Sequence, residues 1–375
     1  MNSIKLKEAI EFSLQQIDKG MESFTNGKYP DSCSVNGIYP AVPNDVGWIQ
    51  GFWSGMLWLA YEFTNEMKYK NVALSQVDDF YERIKNRLGV DHHDMGFLYI
   101  PSCVAAYKLT KNEKAKEAAI MAADHLCSRY HEKGRFIQAW GDPKKKEDYR
   151  LIIDCLLNIP LLFWTAKITG EEKYKEIATA HLETSVNVLI REDGSTFHTF
   201  FFDPQTGEPK YGETHQGYAA DSIWARGQAW GIYGLALAYK NTRNPEYITM
   251  FNKVTELFIS HLPKDNIPAW DLIFTDTETL KDTSSAAIAV CGILEMSRNC
   301  KVSDSFLDAA SNMMEALQNS CYTKDISNSN GILKHAVYAM PQNIGVDECN
   351  IWGDYYYMEA LMRYNNPDWD SYWEE

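Results

Sequence analysis

Thr169-Gly170-Glu171-Glu172-Lys173-Tyr174 ends one apolar stretch and opens an amphipathic one. The chain repeats this passage as Thr64-Asn65-Glu66-Met67-Lys68-Tyr69, Thr110-Lys111-Asn112-Glu113-Lys114-Ala115 and Thr242-Arg243-Asn244-Pro245-Glu246-Tyr247. A weaker copy runs from Cys300 to Phe306. Thr or Asn near a helix end, followed by acidic residues in the next first turn, suits a tight helix–helix connection. Apolar residues recur at helical spacing on both sides of each copy. They predict twelve helices, near 4–18, 48–63, 70–87, 95–109, 113–130, 151–168, 172–189, 226–240, 247–260, 282–298, 303–318 and 352–364. One segment, near 195–212, reads as extended: Ser195-Thr196-Phe197-His198-Thr199-Phe200-Phe201-Phe202, then a turn through Asp203-Pro204-Gln205-Thr206-Gly207.

The four clear copies begin 46, 59 and 73 residues apart. A solenoid keeps a fixed period, so the uneven spacing favours a closed ring with long connections on one side. The first helix of each pair is the more apolar, as in 151–164 and 286–294, and a helix apolar all round is buried. The expected architecture is all-α: an (α/α)6 toroid of six helical hairpins, forming a single catalytic domain over residues 1–375.

Hydrophobic residues make up 45% of the 375 residues and charged residues 23%, enough for a large core. The net charge of −15, with no basic run longer than Lys144-Lys145-Lys146, argues against a nucleic-acid partner. The first twenty residues lack the apolar core of a signal peptide, and no run of 18 apolar residues suggests a membrane span. The eight cysteines form no CxxC pair and several lie in apolar helical runs, so they read as reduced thiols and the location as cytoplasmic. The sequence sets no oligomeric state.

The long connections crowd one end of the expected ring, and function concentrates in loops on a rigid scaffold. Aromatic and acidic residues gather there. Trp48, Trp140, Trp224 and Trp230 offer faces for a sugar ring, or alternatively pack to seal helix ends. Asp154 sits in the apolar run Leu151-Ile152-Ile153-Asp154-Cys155-Leu156-Leu157, read as an inner helix. Desolvation raises the pKa of such a carboxyl and keeps a general acid protonated near neutral pH. As a structural group it would instead cap the helix or pair with Arg150. Asp94 reads as an N-cap residue facing the cleft, a second carboxylate of the kind glycosidases use. His92-His93-Asp94 is not read as a metal site, because adjacent residues point apart and no second ligand cluster accompanies them. No metal and no cofactor are expected. His198, His215 and Gln216 are further cleft candidates. Arg226 is the expected counter-charge for an anionic substrate, unless it serves a neighbour such as Asp221.

Several strings, in one order from about 44 to 362, resemble the unsaturated glucuronyl hydrolases, glycoside hydrolase family 88. They include Gly51-Phe52-Trp53-Ser54-Gly55, His92-His93-Asp94-Met95-Gly96-Phe97, Ile152-Ile153-Asp154-Cys155-Leu156-Leu157-Asn158, Thr214-His215-Gln216-Gly217, Trp224-Ala225-Arg226-Gly227-Gln228-Ala229-Trp230 and Trp352-Gly353-Asp354-Tyr355-Tyr356-Tyr357. The resemblance implies the same (α/α)6 fold and an unsaturated oligosaccharide as partner. It implies removal of a 4,5-unsaturated uronic acid by hydration of its enol-ether double bond. Asp154 would be the general acid/base and Asp94 its acidic partner. His198 and Gln216 would hold hydroxyls or water, Arg226 would meet the uronate, and Trp140 and Trp230 would stack on sugar. The match is poor between Gly331 and Asn350, which leaves the preferred aglycone open. Two other readings share the fold: an unsaturated rhamnogalacturonyl hydrolase, and a sugar 2-epimerase using His198 and His215 as bases. A non-catalytic helical scaffold would not require a carboxylate in an apolar run.

Overall fold

A computed structural model describes residues 3–373, so the single unit expected over 1–375 extends two residues past the described chain at each end. In chain order, α1 (Ser3–Ser23) precedes a hairpin of α2 (Gln50–Thr64) with α3 (Met67–Ser75) and α4 (Val77–Lys85). In the second hairpin α5 (Met95–Tyr99) continues through a π-helical turn, Ile100–Val104, into α6 (Ala105–Thr110), and α7 (Glu113–Cys127) returns. The third has α8 (Cys155–Asn158) and α9 (Pro160–Thr169) inside and α10 (Glu172–Leu189) outside. The fourth is α11 (Ala225–Thr242) with α12 (Glu246–Ser260), and the fifth α13 (Thr283–Asn299) with α14 (Asp304–Ser320). α15 (Ile351–Asn365) packs on α1 to complete the sixth. The inner segments close a ring: α2 packs on the π turn, α5 on α8, α8 on α11, α11 on α13, α13 on α15 and α15 on α2.

The repeated passage has a physical meaning. Its second residue takes a left-handed conformation in all four clear copies: Asn65 (φ 58°), Lys111 (φ 58°), Gly170 (φ 74°) and Arg243 (φ 58°). Each donates its N–H back into the helix, to Tyr61, Tyr107, Ala166 and Tyr239 carbonyls respectively, as an αL cap does. The Thr before it donates its hydroxyl to the carbonyl four residues earlier, as Thr64 does to Ala60 at 2.8 Å. The same oxygen accepts the N–H two residues on, as from Glu66 and Glu171. The weaker copy differs: Cys300 is extended, and the chain leaves α13 without a left-handed residue.

These connections define a closed end. The tail seals it: Trp373 stacks on Tyr356 and donates Nε1–H to Glu359 at 2.7 Å. Glu359, Arg363, Glu295 and Lys240 form a buried ion-pair cluster beneath it. Two attracting cations outweigh burial and hold Glu295 down to about 2. The seam between the fifth and sixth hairpins joins distant sequence: Lys5 on α1 pairs with Glu315 on α14 at 3.0 Å across 310 positions.

Candidate active site

The other end is built differently. Here a narrow sheet crosses the rim. His93 N–H donates to Ala139 O at 2.6 Å, and Ala139 N–H to Arg150 O at 3.0 Å. The strand Arg150–Ile152 pairs with Thr199–Phe202, which pairs with Pro209–Glu213. Ile153 N–H donates to His198 O at 3.0 Å. The extended segment expected near 195–212 is the last hairpin of this sheet. The expected helix at 151–168 is corrected: Leu151 and Ile152 are strand, and Asp154 is the N-cap residue of α8. Its side chain makes no cap hydrogen bond. A short apolar run does not distinguish a buried strand from a buried helix, and the β-branched Ile152-Ile153 pair favours the strand.

Asp94 occupies the matching place, the N-cap of α5, also without a side-chain cap bond. Gly96 lets the two segments meet: a Cβ there would lie 2.5 Å from Asn158 Cα. That approach places His93 between the carboxylates. His93 Nε2 lies 3.4 Å from Asp94 Oδ1 and 3.3 Å from Asp154 Oδ1. The donor atoms of the three residues lie within 4.8 Å of one another. The expectation that His93 and Asp94 point apart is therefore corrected, because a bend before α5 turns both toward Asp154.

The two carboxyls titrate in opposite directions. Burial pushes Asp154 up, and Asp94 adds to this, while His93 and Arg226 oppose it without cancelling it. Burial also pushes Asp94 up, but His93, His92 and the Asn158 amide outweigh it and leave Asp94 below the usual carboxylate range. His93 is fully buried, which disfavours its charge, yet the two aspartates raise it above an ordinary imidazole. One carboxyl is thus pushed toward its protonated form and its neighbour toward its ionised form, the pattern that separates acid from partner. His93 was not among the site residues singled out from sequence; its place between two aspartates was the missing signal.

The remaining candidates divide into rim and floor. His198 Nδ1 faces Thr199 Oγ1 at 2.6 Å, and its ring meets Trp224 edge-on at 4.7 Å. Burial, then His215 and Arg226, hold His198 well below its ordinary value, so it is neutral. His215 is exposed, 6.3 Å from His198 and 5.4 Å from Trp140 between ring centroids. Trp48 is half-buried, donates to Tyr338 Oη at 3.0 Å, and packs on Trp352 and Phe97. Trp230 is corrected from rim to floor: it is 1% exposed, wedged between Phe97 and Tyr356, and has no face for a sugar.

Arg226 is likewise internal. It is 1% exposed and pairs with Asp282 at 2.9 Å, not with Asp221. It also donates to Val337 O, Tyr338 O and Gln216 Oε1. Its guanidinium nitrogens are therefore turned to protein groups, and the direct uronate contact expected of it is not set up here. Asp271, fully buried, accepts from Tyr218 N, Ser222 Oγ and Ile223 N, and so ties down the loop that carries His215 and Gln216.

A ring of helical hairpins that gathers two buried carboxyls and indole faces at one rim is the arrangement of a glycoside hydrolase. Known proteins agree. The family model described as Glycosyl Hydrolase Family 88 matches residues 18–368. An unsaturated chondroitin disaccharide hydrolase of Streptococcus agalactiae is 47% identical, over 100% of this chain and 94% of that protein. An unsaturated glucuronyl hydrolase of Bacillus sp. GL1 is 39% identical, over 88% of this chain and 89% of its own length. A crystal structure of the Streptococcus agalactiae unsaturated glucuronyl hydrolase superposes with a TM-score of 0.96 at 47% identity, covering 100% of this chain and 94% of that one. An aspartate-to-asparagine variant of it, complexed with dGlcA-GalNAc6S, superposes at 0.88, with 44% identity and the same coverage. The chain belongs to glycosyl hydrolase family 88.

Proposed function

We propose that this chain removes a 4,5-unsaturated uronic acid from the non-reducing end of glycosaminoglycan-type oligosaccharides left by polysaccharide lyases. The observation that carries the reading is the raised Asp154 carboxyl held against His93 and an ionised Asp94. The substrate is an enol ether. Asp154 gives its proton to C4, water adds at C5, and Asp154 recovers a proton from that water. The hemiketal opens and releases the aglycone, so the proton balance closes on one residue. Asp94 favours the charged form of His93 and holds the imidazole between the carboxylates. His198, neutral and turned by Thr199, and the Gln216 amide orient hydroxyls or the water. Trp140 and Trp48 supply sugar-facing indoles. Arg226 acts through the groups it holds, Gln216 and the segment around Tyr338.

The Streptococcus relatives are unsaturated chondroitin disaccharide hydrolases, which favours chondroitin-type disaccharides as substrate. A cytoplasmic location is supported by eight unpaired cysteines. Among the described residues no helix is long and apolar enough to cross a membrane. The test is a continuous ultraviolet assay, with chelator present, on an unsaturated disaccharide from a chondroitin lyase digest. Loss of the enol-ether absorbance is expected. No loss there, or on hyaluronan, heparin and pectin lyase products, would discard hydration chemistry and favour epimerisation at the His198–His215 pair.

A further inference from the structure

One buried polar side chain at the site has no part in the steps above. Asn158 is the last residue of α8 and is 1% exposed. Its Oδ1 accepts the N–H of Phe97, on α5, at 3.1 Å. That donor fixes which way the amide points, because a main-chain N–H needs an oxygen opposite it. Nδ2 then faces two acceptors. It donates to Asp154 O at 3.2 Å, the carbonyl that Leu157 N–H also meets at 2.9 Å. It also meets the Asp94 carboxylate: burial raises that group, and His93 and His92, then this amide, bring it below the ordinary range. Gly96 lets α5 come this close, for a Cβ there would lie 2.9 Å from Asn158 Oδ1.

Neither aspartate spends its side chain on capping its own helix. Asn158 instead reaches three places at once: the start of α5 through Phe97, the N-cap of α8 through Asp154 O, and the Asp94 side chain. In a buried site a polar group that loses its partner is costly, so such a clamp is stiff. The titratable and charged groups that act on Asp94 are His92 and His93 on its own segment, Asp154 and Cys155 at α8, Arg129 after α7, and Tyr338 on the strand Ala336–Ala339. Asn158 adds a neutral donor to that set. We propose that Asn158 is a positioning residue for the hydration step, an amide that fixes Asp94 relative to Asp154 and must donate to both segments to do so. This rests on the function proposed above, and Asn158 acts through the two aspartates, not on the sugar.

The test is kcat and KM of the full chain against pH on an unsaturated chondroitin disaccharide, with Tm followed on the same samples. Asn158→Asp keeps the shape and the acceptor for Phe97, loses both donors and adds a negative charge beside two carboxyls. Asn158→Ala removes donor and acceptor and adds no charge. Both changes favour protonated Asp94, so the acid limb of the rate, where Asp94 gains its proton, moves up. For Asn158→Asp that shift should be about one pH unit, with kcat lower by about a hundredfold and KM within about threefold of wild type. Asn158→Ala should move the limb the same way by less. A wild-type kcat in Asn158→Asp, or a lowered Tm with the acid limb in place, would overturn the proposal. Should Asn158→Asp fail to fold, Asn158→Ala decides alone, and an unmoved limb there overturns it. A wild type that turns over no unsaturated disaccharide would overturn the function proposed above, and this role with it.

Discussion

The two ends of the ring solve the same problem, joining one helix to the next, with opposite means. At the closed end a Thr and one left-handed residue do it within a few positions, and the Thr hydroxyl of each turn bonds the carbonyl four residues back. At the open end the joins are long and their bonds reach far along the chain: Arg226 holds carbonyls 111 and 112 positions away. Local punctuation is interchangeable between hairpins. Long-range bonding is specific to each connection, and the unequal pKa values of Asp94 and Asp154 arise only there. The difference predicts that substitutions at the open end change chemistry or unfold the site, whereas those at the closed end change stability alone.

The sharpest break would come at Asp154. Asp154→Asn cannot give or recover a proton, so kcat should fall by about four orders of magnitude, the upper range for a general acid. Circular dichroism and Tm should stay near wild type. Activity within tenfold of wild type would remove the open end's chemical distinction. Next is Arg226→Met, which leaves Asp282 buried without its cation. Breaking one half of a buried ion pair costs about 3–5 kcal/mol, measurable in urea unfolding. A cost below about 1 kcal/mol would mean that the open end is no more tightly specified than the closed one.

His93→Gln sharpens the comparison through pH. Asp154 acts in its protonated form, so the rate should fall as pH rises through its elevated pKa. The His93 charge restrains that elevation; without it the pKa climbs further and the alkaline limb of kcat/KM should move to higher pH. The rate itself should drop about a hundredfold, the scale of one preorganised electrostatic contact. An alkaline limb that stays put or moves down would mean that His93 does not set the Asp154 charge.

The closed end supplies the smallest effects. A Cβ on Gly170 meets nothing within 4 Å, so Gly170→Ala carries only the left-handed backbone penalty, about 1 kcal/mol. Asn65→Gly, at the equivalent place, should stabilise by about 0.5 kcal/mol. Both should keep full activity in the absorbance assay, and a change in kcat from either would blur the division between the ends.

Legibility followed the same division. Helices at the closed end were readable because periodicity and a repeated Thr-containing turn are local signals. Even there, 70–87 proved to be two helices meeting at Gln76, and 95–109 carries the π turn around Pro101. At the open end the residue types were readable but their partners were not. Asp154 and Asp94 stand out by composition, yet the strand before α8 depends on pairing with Thr199–Phe202. Arg226 could be singled out as a counter-charge for an anionic substrate, but its partner Asp282, 56 positions on, is chosen by the fold. Trp224 and Trp230 both proved buried, at 5% and 1% exposed, and only the fold separates them: Trp224 packs on His198 and Arg226 at the rim, Trp230 between Phe97 and Tyr356 in the floor.

The seam between Lys5 on α1 and Glu315 on α14 carries a consequence for folding order. Each hairpin can assemble from neighbours in sequence, but this joint must bring together residues 310 positions apart. The entropy of closing so long a loop grows only with the logarithm of its length, about 0.6 kcal/mol per doubling, so stability suffers little. Rate suffers more, because non-local contacts form late. An arc of stacked hairpins should therefore precede the finished annulus. The junction of α1 with α15 becomes the last part to acquire protection against amide exchange during refolding and the first to lose it.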